Sequence, residues 1–252
     1  MRIDEVPTED VLTRLLEEAR GRGEDEVTVE TSHEAGDAWL RAGFTEEARV
    51  LRARVELIER LLAGAKEPSF GSVHVQSDDV DAVVRAVRQF VPRLPGGSQG
   101  SVVAPPRNGW TAVYDELCDR EPEMLRRLAR ELSDRMGAVV LLIGVEEGKV
   151  VRFVFLERGR VMDEYLSVPE YHGPLPPGDV IGLGANPTVV ARLTGAEAAR
   201  VREAARTAAL PSELPPAREL IVRIAEVLGV EGAGHGYEGA AEIPGATAIP
   251  RG

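Results

Sequence analysis

Residues 138–166 read AVVLLIGVEEGKVVRFVFLERGRVMDEYL, and they decide the fold class. Ala138–Val145 is apolar at successive positions, which predicts a strand buried on both faces in the interior of a sheet. Two polar turns separate this strand from two further apolar runs. The turns are Glu146–Lys149 and Arg158–Arg160, and the runs are Val150–Leu156 and Val161–Leu166. Together the three runs predict an antiparallel meander.

Upstream of the meander, strand and helix patterns alternate. Ser72–Gln76 predicts a strand, and Ser77 caps a helix whose apolar positions recur at helical spacing up to Val91. Val102–Val103 and Trp110–Tyr114 predict two more strands, and a helix follows from Pro122. This order predicts an α+β protein with a ferredoxin-like (split βαβ) antiparallel sheet domain. Helical patterns downstream, ending with Pro216–Leu228, predict C-terminal helices.

Charge and composition divide the 252-residue chain into three parts. Residues 1–67 contain 17 acidic and 10 basic residues, a net charge of −7 out of −12 for the whole chain. We predict a mainly helical acidic N-terminal segment over residues 1–67 and an α+β sheet domain over 70–230. Residues 231–252 are rich in Gly, Ala and Pro, which predicts an irregular tail.

The same composition argues against several classes of function. A net charge of −12 is unfavourable for binding nucleic acid or an anionic membrane surface, both of which require basic residues. Met1–Asp10 lacks the apolar region of a signal peptide, and no apolar run approaches membrane-spanning length, so we expect a cytoplasmic protein. The single cysteine, Cys118, and four scattered histidines lack metal-ligand spacing, so we expect no metal and no cofactor.

Residues 8–50 resemble the C-terminal part of a GNAT acyltransferase. The resemblance rests on a helix, a strand at Val27–Val29, and a second predicted helix ending in the pair Gly43–Phe44. The family holds the CoA pyrophosphate with a Gly-rich loop before the first helix, but Met1–Asp10 contains no glycine. The family also has a strand after the Gly-Phe pair, where Glu46–Leu62 here predicts a helix. The resemblance therefore implies a degenerate relative rather than an active acetyltransferase.

Two groups of side chains are candidates for a ligand pocket. Acids, tyrosines and a histidine gather at the end of the meander, and a turn that precedes the strand from Trp110 brings an arginine and aromatic residues together. The candidate pocket residues are Arg107, Trp110, Tyr114, Asp163, Tyr165, Tyr171 and His172. The alternative is that the tyrosines and Trp110 pack in the core while the acids are solvated. No residue pattern identifies a catalytic nucleophile.

The helix predicted over Glu46–Leu62 is the candidate interface. Its apolar stripe, flanked by opposite charges, suits a partner helix or a second copy of the chain. The alternative is that the stripe packs on the chain's own sheet. The stripe consists of Leu51, Val55, Ile58 and Leu62. The leading hypothesis is a non-catalytic, cytoplasmic protein-interaction or regulatory module that self-associates. The alternatives are an enzyme or small-ligand binder with a pocket at the Asp163–His172 edge, and a degenerate acyl-CoA-binding protein.

Overall fold

A computed structural model describes residues 7–24, 26–29, 39, 45–47, 50–54 and 69–250. The chain divides into two compact units, Met1–Glu67 and Pro68–Gly252. We call them the N-terminal unit and the C-terminal unit. The division lies in the region where the change in charge along the sequence predicts a boundary.

The described part of the N-terminal unit contains one long helix and three strands. Helix α1 (Glu9–Arg22) ends at Gly23, which adopts a left-handed conformation, and it buries the apolar face that its periodicity predicts. The strands are β1 (Glu26–Val29), β2 (Thr45–Glu47) and β3 (Val50–Arg54). They form an antiparallel sheet in the order β1-β3-β2. Trp39 is helical and fully buried.

The predicted helix over Glu46–Leu62 is wrong in its described part, because β2 and β3 occupy residues 45–54. Residues 51–54 alternate Leu, Arg, Ala and Arg, so the sequence carries a strand period as well as a helical one. Pairing of β3 with a strand on each side selects the strand. Leu51 therefore lies in a strand, whereas Val55, Ile58 and Leu62 lie outside the described residues.

The C-terminal unit is built on a seven-stranded, open, entirely antiparallel sheet. Its strand order is β10-β5-β6-β4-β7-β8-β9. The strands are β4 (Phe70–Val75), β5 (Gly100–Val103), β6 (Thr111–Asp115), β7 (Val139–Glu146), β8 (Val150–Glu157), β9 (Arg160–Leu166) and β10 (Thr247–Pro250). The predicted meander is confirmed, since β7, β8 and β9 are neighbours.

Helices cover both faces of this sheet. The helices of the C-terminal unit are α2 (Val80–Phe90), α3 (Glu116–Arg120), α4 (Pro122–Met136), α5 (Pro177–Gly182), α6 (Pro187–Thr194), α7 (Ala198–Ala204), α8 (Ala217–Leu228) and α9 (Tyr237–Ala240). Helices α2 and α4 pack on one face with Val73, Leu142 and Val154. Helices α6, α7 and α8 pack on the opposite face with Ile143 and Phe153. The unit is therefore a three-layer α+β structure.

The C-terminal tail, residues 231–250, contains two short regular elements within the irregular segment that its composition predicts. It contains α9 and β10, and β10 extends the sheet by pairing with β5. Ala240 packs against Ala112 and Tyr114, so the tail covers the β5–β6 part of the face that α6–α8 leave open. Its apolar residues are buried by this contact. The Gly and Pro content of the tail does not predict that burial.

Two glycines bring β4 and β7 close together in the centre of the sheet. Gly71 faces Gly144 across the strand pair. A Cβ atom at Gly144 would lie 2.6 Å from the Phe70 carbonyl oxygen, and one at Gly71 would lie 2.5 Å from Leu125 Cδ2. The absence of side chains here lets helix α4 sit directly on the sheet.

We predict that Gly144→Ala destabilises the C-terminal unit by roughly 2–3 kcal/mol, because the methyl group forces two paired strands apart. Gly178→Ala is the matched control, since a Cβ at this helical position meets nothing within 4 Å. The control is expected to be neutral or slightly stabilising. Urea unfolding of both variants measures the difference. Equal stability of the two variants contradicts the close approach.

Candidate functional site

The structure places the predicted meander pocket residues on opposite sides of the sheet. Tyr165 is fully buried, and its ring stacks on Phe153 at a centroid distance of 4.9 Å. Its hydroxyl donates to the Arg206 carbonyl oxygen at 2.8 Å. Asp163 shares this face and accepts from the Asn186 backbone N–H at 3.1 Å. Burial raises the pKa of Asp163 to about 6, and this carboxylate anchors the segment that leads into α6.

His172 belongs instead to a charge network that begins on α4. Arg126 donates two hydrogen bonds to Glu164, at 2.7 and 2.8 Å. Arg152 bridges Glu164 and Glu146, at 2.8 and 2.5 Å, and His172 Nε2 lies 2.7 Å from Glu146. Burial opposes ionisation of Glu164, but its two arginine partners outweigh burial and lower its pKa.

This network ties three strands, α4 and the loop after β9 together. Tyr171 strengthens the attachment of that loop, because its hydroxyl donates to Glu147 at 2.8 Å. The arginines and the glutamates Glu146 and Glu164 each have an oppositely charged partner within hydrogen-bonding distance, so the arrangement is suited to fixing the loop. Tyr165 and His172 therefore do not line a common pocket.

The second group of predicted pocket residues separates as well. Arg107 and Trp110 exchange two backbone hydrogen bonds, at 2.8 and 2.9 Å, across the turn formed by Asn108 and Gly109. Both turn residues have positive φ, as the Asn-Gly pair predicts. Trp110 is buried in the core, which agrees with its alternative role as an anchor. Tyr114 is also buried, but its hydroxyl donates to the Gly232 carbonyl oxygen of the tail at 2.9 Å.

A buried polar pair lies in the middle of the sheet next to the tail. Ser72 and His74 on β4 are both fully buried, and Ser72 Oγ lies 2.8 Å from His74 Nε2. The other ring nitrogen, Nδ1, has no hydrogen-bond partner. Burial, with a smaller contribution from His235 of the tail, lowers the pKa of His74 to about 3. His74 is therefore neutral at physiological pH.

The cavity of greatest functional interest lies where the tail meets α3 and the start of β4. We call it the tail cavity; its volume is about 610 Å³. Four separate segments contribute its walls: the start of β4, helix α3, the first turn of α8, and the tail. The polar and aromatic wall residues are Ser69, Phe70, Glu116, Asp119, Arg120, Arg218, His235, Tyr237 and Glu238.

Asp119 connects the cavity wall to both the sheet and the tail. Its two carboxylate oxygens accept from the backbone N–H of Gly71 at 3.0 Å and of Tyr237 at 2.7 Å. Burial raises the pKa of Asp119 despite these bonds, and the nearby acids Asp115 and Glu238 raise it further. Asp119 is thus a half-desolvated carboxylate whose position is coupled to that of the tail.

Cations and aromatic rings complete the cavity. The Arg218 guanidinium lies 4.9 Å above the centre of the Phe70 ring, which is a cation–π geometry. Arg120 pairs with Glu116, at 2.5 Å. His235 stacks on Tyr114 with ring centroids 5.0 Å apart. The cavity therefore offers both signs of charge and hydrogen-bonding groups around a partly apolar floor.

Sequence reasoning identified none of the charged wall residues of this cavity. Asp119 and Tyr237 are 118 positions apart, and no local motif links them. Tyr114, which was predicted on its aromatic character, contacts the tail beside the cavity. The only signal available was indirect: the Gly residues near His235 permit close packing of a loop.

Comparison with known proteins adds no family assignment. No protein-family model, curated protein or solved structure matches this chain. Among the described residues, no group of three or more His, Cys, Asp or Glu side chains is arranged to hold a metal ion. None of the helices in that part of the chain combines the length and the apolar character of a membrane-spanning segment.

The buried His74 predicts a loss of stability in acid. Below the ordinary histidine pKa of 6.5, the unfolded chain takes up a proton that the folded unit does not, down to about pH 3. Acidification from pH 8 to pH 5 therefore lowers the free energy of unfolding by about 2 kcal/mol. The double variant Ser72→Ala/His74→Leu removes both polar partners. Its free energy of unfolding is expected to fall by about 2 kcal/mol less than that of the parent over this interval.

Urea unfolding at pH 8 and pH 5 measures this difference through the fluorescence of Trp110, in a Trp39→Phe background. Ser72→Ala alone is the control, because it removes the serine hydroxyl and leaves the buried imidazole of His74 in place. If parent and double variant lose equal stability on acidification, the buried neutral state of His74 is excluded.

Proposed function

We propose that the C-terminal unit is a non-catalytic regulatory module that binds a small polar ligand in the tail cavity. The observation that carries this proposal is the convergence of four chain segments on a cavity of about 610 Å³. This volume lies in the range of natural small-molecule sites, which combine an apolar floor with a few polar groups. Phe70 and the charged side chains Asp119 and Arg218 provide that combination.

The contacts of Asp119 support a regulatory role for such a ligand. A ligand group that hydrogen-bonds Asp119 acts on the same carboxylate that accepts the Tyr237 N–H. It therefore changes the free energy of the conformation in which the tail contacts Asp119. A ligand that binds one conformation more tightly than another shifts the equilibrium between them. The tail also carries β10, so occupancy of the cavity is linked to the edge of the sheet.

Burial of the reactive side chains supports binding rather than catalysis. The Cys118 thiol is buried, and burial together with the neighbouring acids raises its pKa well above the ordinary value. A protonated thiol is a poor nucleophile. Ser72 and His74 form a hydrogen-bonded serine–histidine pair, and both have zero exposure. A ligand in the tail cavity meets charged and aromatic groups instead.

We also propose a ferredoxin-like core for this unit. The four strands β5-β6-β4-β7 are adjacent and antiparallel, and α2 and α4 connect them on one face. This order supports the split βαβ arrangement, with β8 and β9 added beside β7 and β10 added beside β5.

The N-terminal unit is proposed to be a degenerate relative of the GNAT acyltransferases. Strand β2 begins at Thr45, immediately after Gly43–Phe44. The resemblance implies a strand at this point. The helix predicted over Glu46–Leu62 was a departure from the family, and β2 and β3 remove it for residues 45–47 and 50–54. This support concerns descent and architecture, and it assigns no CoA-binding role.

A nuclear magnetic resonance screen of amino acids, small amines, small carboxylates and nucleosides tests the proposed ligand site on the full chain. At least one compound is expected to shift amide signals of residues 69–71, 116–120 and 235–239 together. Arg218→Gln should weaken its binding at least tenfold, because one charge-assisted hydrogen bond contributes about 1.5–3 kcal/mol.

Arg223→Gln is the matched control, since Arg223 is exposed on the same helix and does not line the cavity. It should leave binding unchanged. The proposal is refuted if no compound shifts these signals, or if both arginine variants bind equally well.

A further inference from the structure

A stretch without acidic residues stands out in this acidic chain. Residues 82–114 contain Arg85, Arg88, Arg93 and Arg107 but no Asp or Glu, although the chain as a whole has a net charge of −12. The first three arginines are exposed, and Arg85 and Arg88 are three positions apart on α2. Residues at this spacing lie on the same face of a helix. The C-terminal part of α2 therefore presents a local positive surface.

Among the described residues, no strand covers the sheet edge next to α2. At the far edge, the segment after α5 covers β9: Leu166 N–H donates to the Leu183 carbonyl at 3.0 Å, and Asn186 N–H donates to Asp163. At the near edge, β10 pairs only with β5 among the described strands. The outward N–H and C=O groups of an edge strand can form hydrogen bonds with a further strand. Pro250 donates no hydrogen bond, and within Thr247–Ile249 alternate residues direct their N–H and C=O groups away from β5.

A groove runs beside this edge. We call it the edge groove; its volume is about 540 Å³. Its lining combines apolar residues, two serines and one arginine: Arg88, Val91, Pro92, Gly97, Ser98, Gly100, Ser101, Ile249 and Pro250. An added strand would lie about 4.8 Å from β10 and direct alternate side chains toward the groove. The groove thus meets both needs of strand addition: a backbone to pair with and a cavity for side chains.

We infer that the edge groove binds an extended acidic peptide of a partner protein, which adds to the sheet as a strand beside β10. The inference rests on α2, β5 and β10, and none of the residues that line the edge groove lines the tail cavity. Backbone pairing supplies sequence-independent affinity. Arg88 in the groove wall and Arg85 one turn away favour acidic side chains.

The nearest buried acid does not oppose this charge preference strongly. Asp115 lies behind the groove wall, where the Ser98 and Ser101 hydroxyls donate to its Oδ2 at 2.8 and 2.5 Å. Burial raises the pKa of Asp115 even though these bonds lower it. The two serine hydroxyls line the groove and hydrogen-bond this carboxyl, whereas Arg88 lines the groove with its own exposed side chain.

Fluorescence anisotropy with the full chain tests the inference. The probe is a fluorescein-labelled peptide with the repeat Glu-Val-Glu-Val-Glu-Val, and the comparison peptide has Lys in place of Glu. We expect the Glu peptide to bind at low salt and the Lys peptide to bind at least tenfold more weakly. Proline at alternate positions of the Glu peptide should also abolish binding, because it removes the backbone donors.

A charge-reversed pair of variants locates the site. Arg85→Glu/Arg88→Glu should weaken the Glu peptide at least about tenfold, since two attractive contacts become repulsive. The matched control is Arg127→Glu/Arg130→Glu, an exposed pair at the same spacing on α4. It should leave binding unchanged. Amide signals of residues 247–249 should shift when the Glu peptide binds.

Three results overturn the inference. The first is that the Glu peptide does not bind, and the second is that both arginine pairs affect it equally. The third is a dimer in sedimentation experiments that Arg85→Glu/Arg88→Glu dissociates, because the occupant of the edge is then a second copy of this chain. A failed small-molecule screen leaves the peptide result unaffected, so the two proposals fail separately.

Discussion

Burial of both faces of β7 and β8 is the constraint on which the C-terminal unit depends. Leu142 and Val154 point to one side and Ile143 and Phe153 to the other, and all four have no more than 2% exposure. A sheet that is apolar on both faces needs a layer of helices on each. Helices α2 and α4 supply one layer, and α6–α8 supply the other. The close pairing of Gly71 with Gly144 then lets α4 reach the sheet.

The helical layers leave the β5–β6 part of one face uncovered, and the C-terminal tail completes it. Covering this part brings His235 onto Tyr114 and the Tyr237 N–H onto Asp119. The same tail segment thereby forms a wall of the tail cavity and, through β10, the edge of the sheet. The tail therefore contributes to the packing of the sheet, to the proposed ligand site and to the proposed peptide-binding edge.

The sequence alone predicted the secondary structure wherever the apolar residues followed a single period. The runs at 139–166 and the helices over 80–90 and 122–136 have a single strong pattern, and the structure agrees with each. Prediction failed at residues 50–54, where two periods coexist and strand pairing decides between them. It also missed α9, β10 and the tail's contact with Asp119, because their partners lie more than a hundred positions away. Tyr165 and His172 are close in sequence, yet they belong to opposite sides of the sheet.

Native-state hydrogen exchange of the full chain tests the role of the tail most directly. The informative amides are those of Tyr237, which donates to Asp119, and Ile249 in β10, compared with Val102 in β5. If the tail is part of the sheet unit, both tail amides are protected to within about tenfold of Val102 at pH 7. Exchange of the tail amides at unfolded-chain rates, while β4–β8 stay protected, would contradict the account.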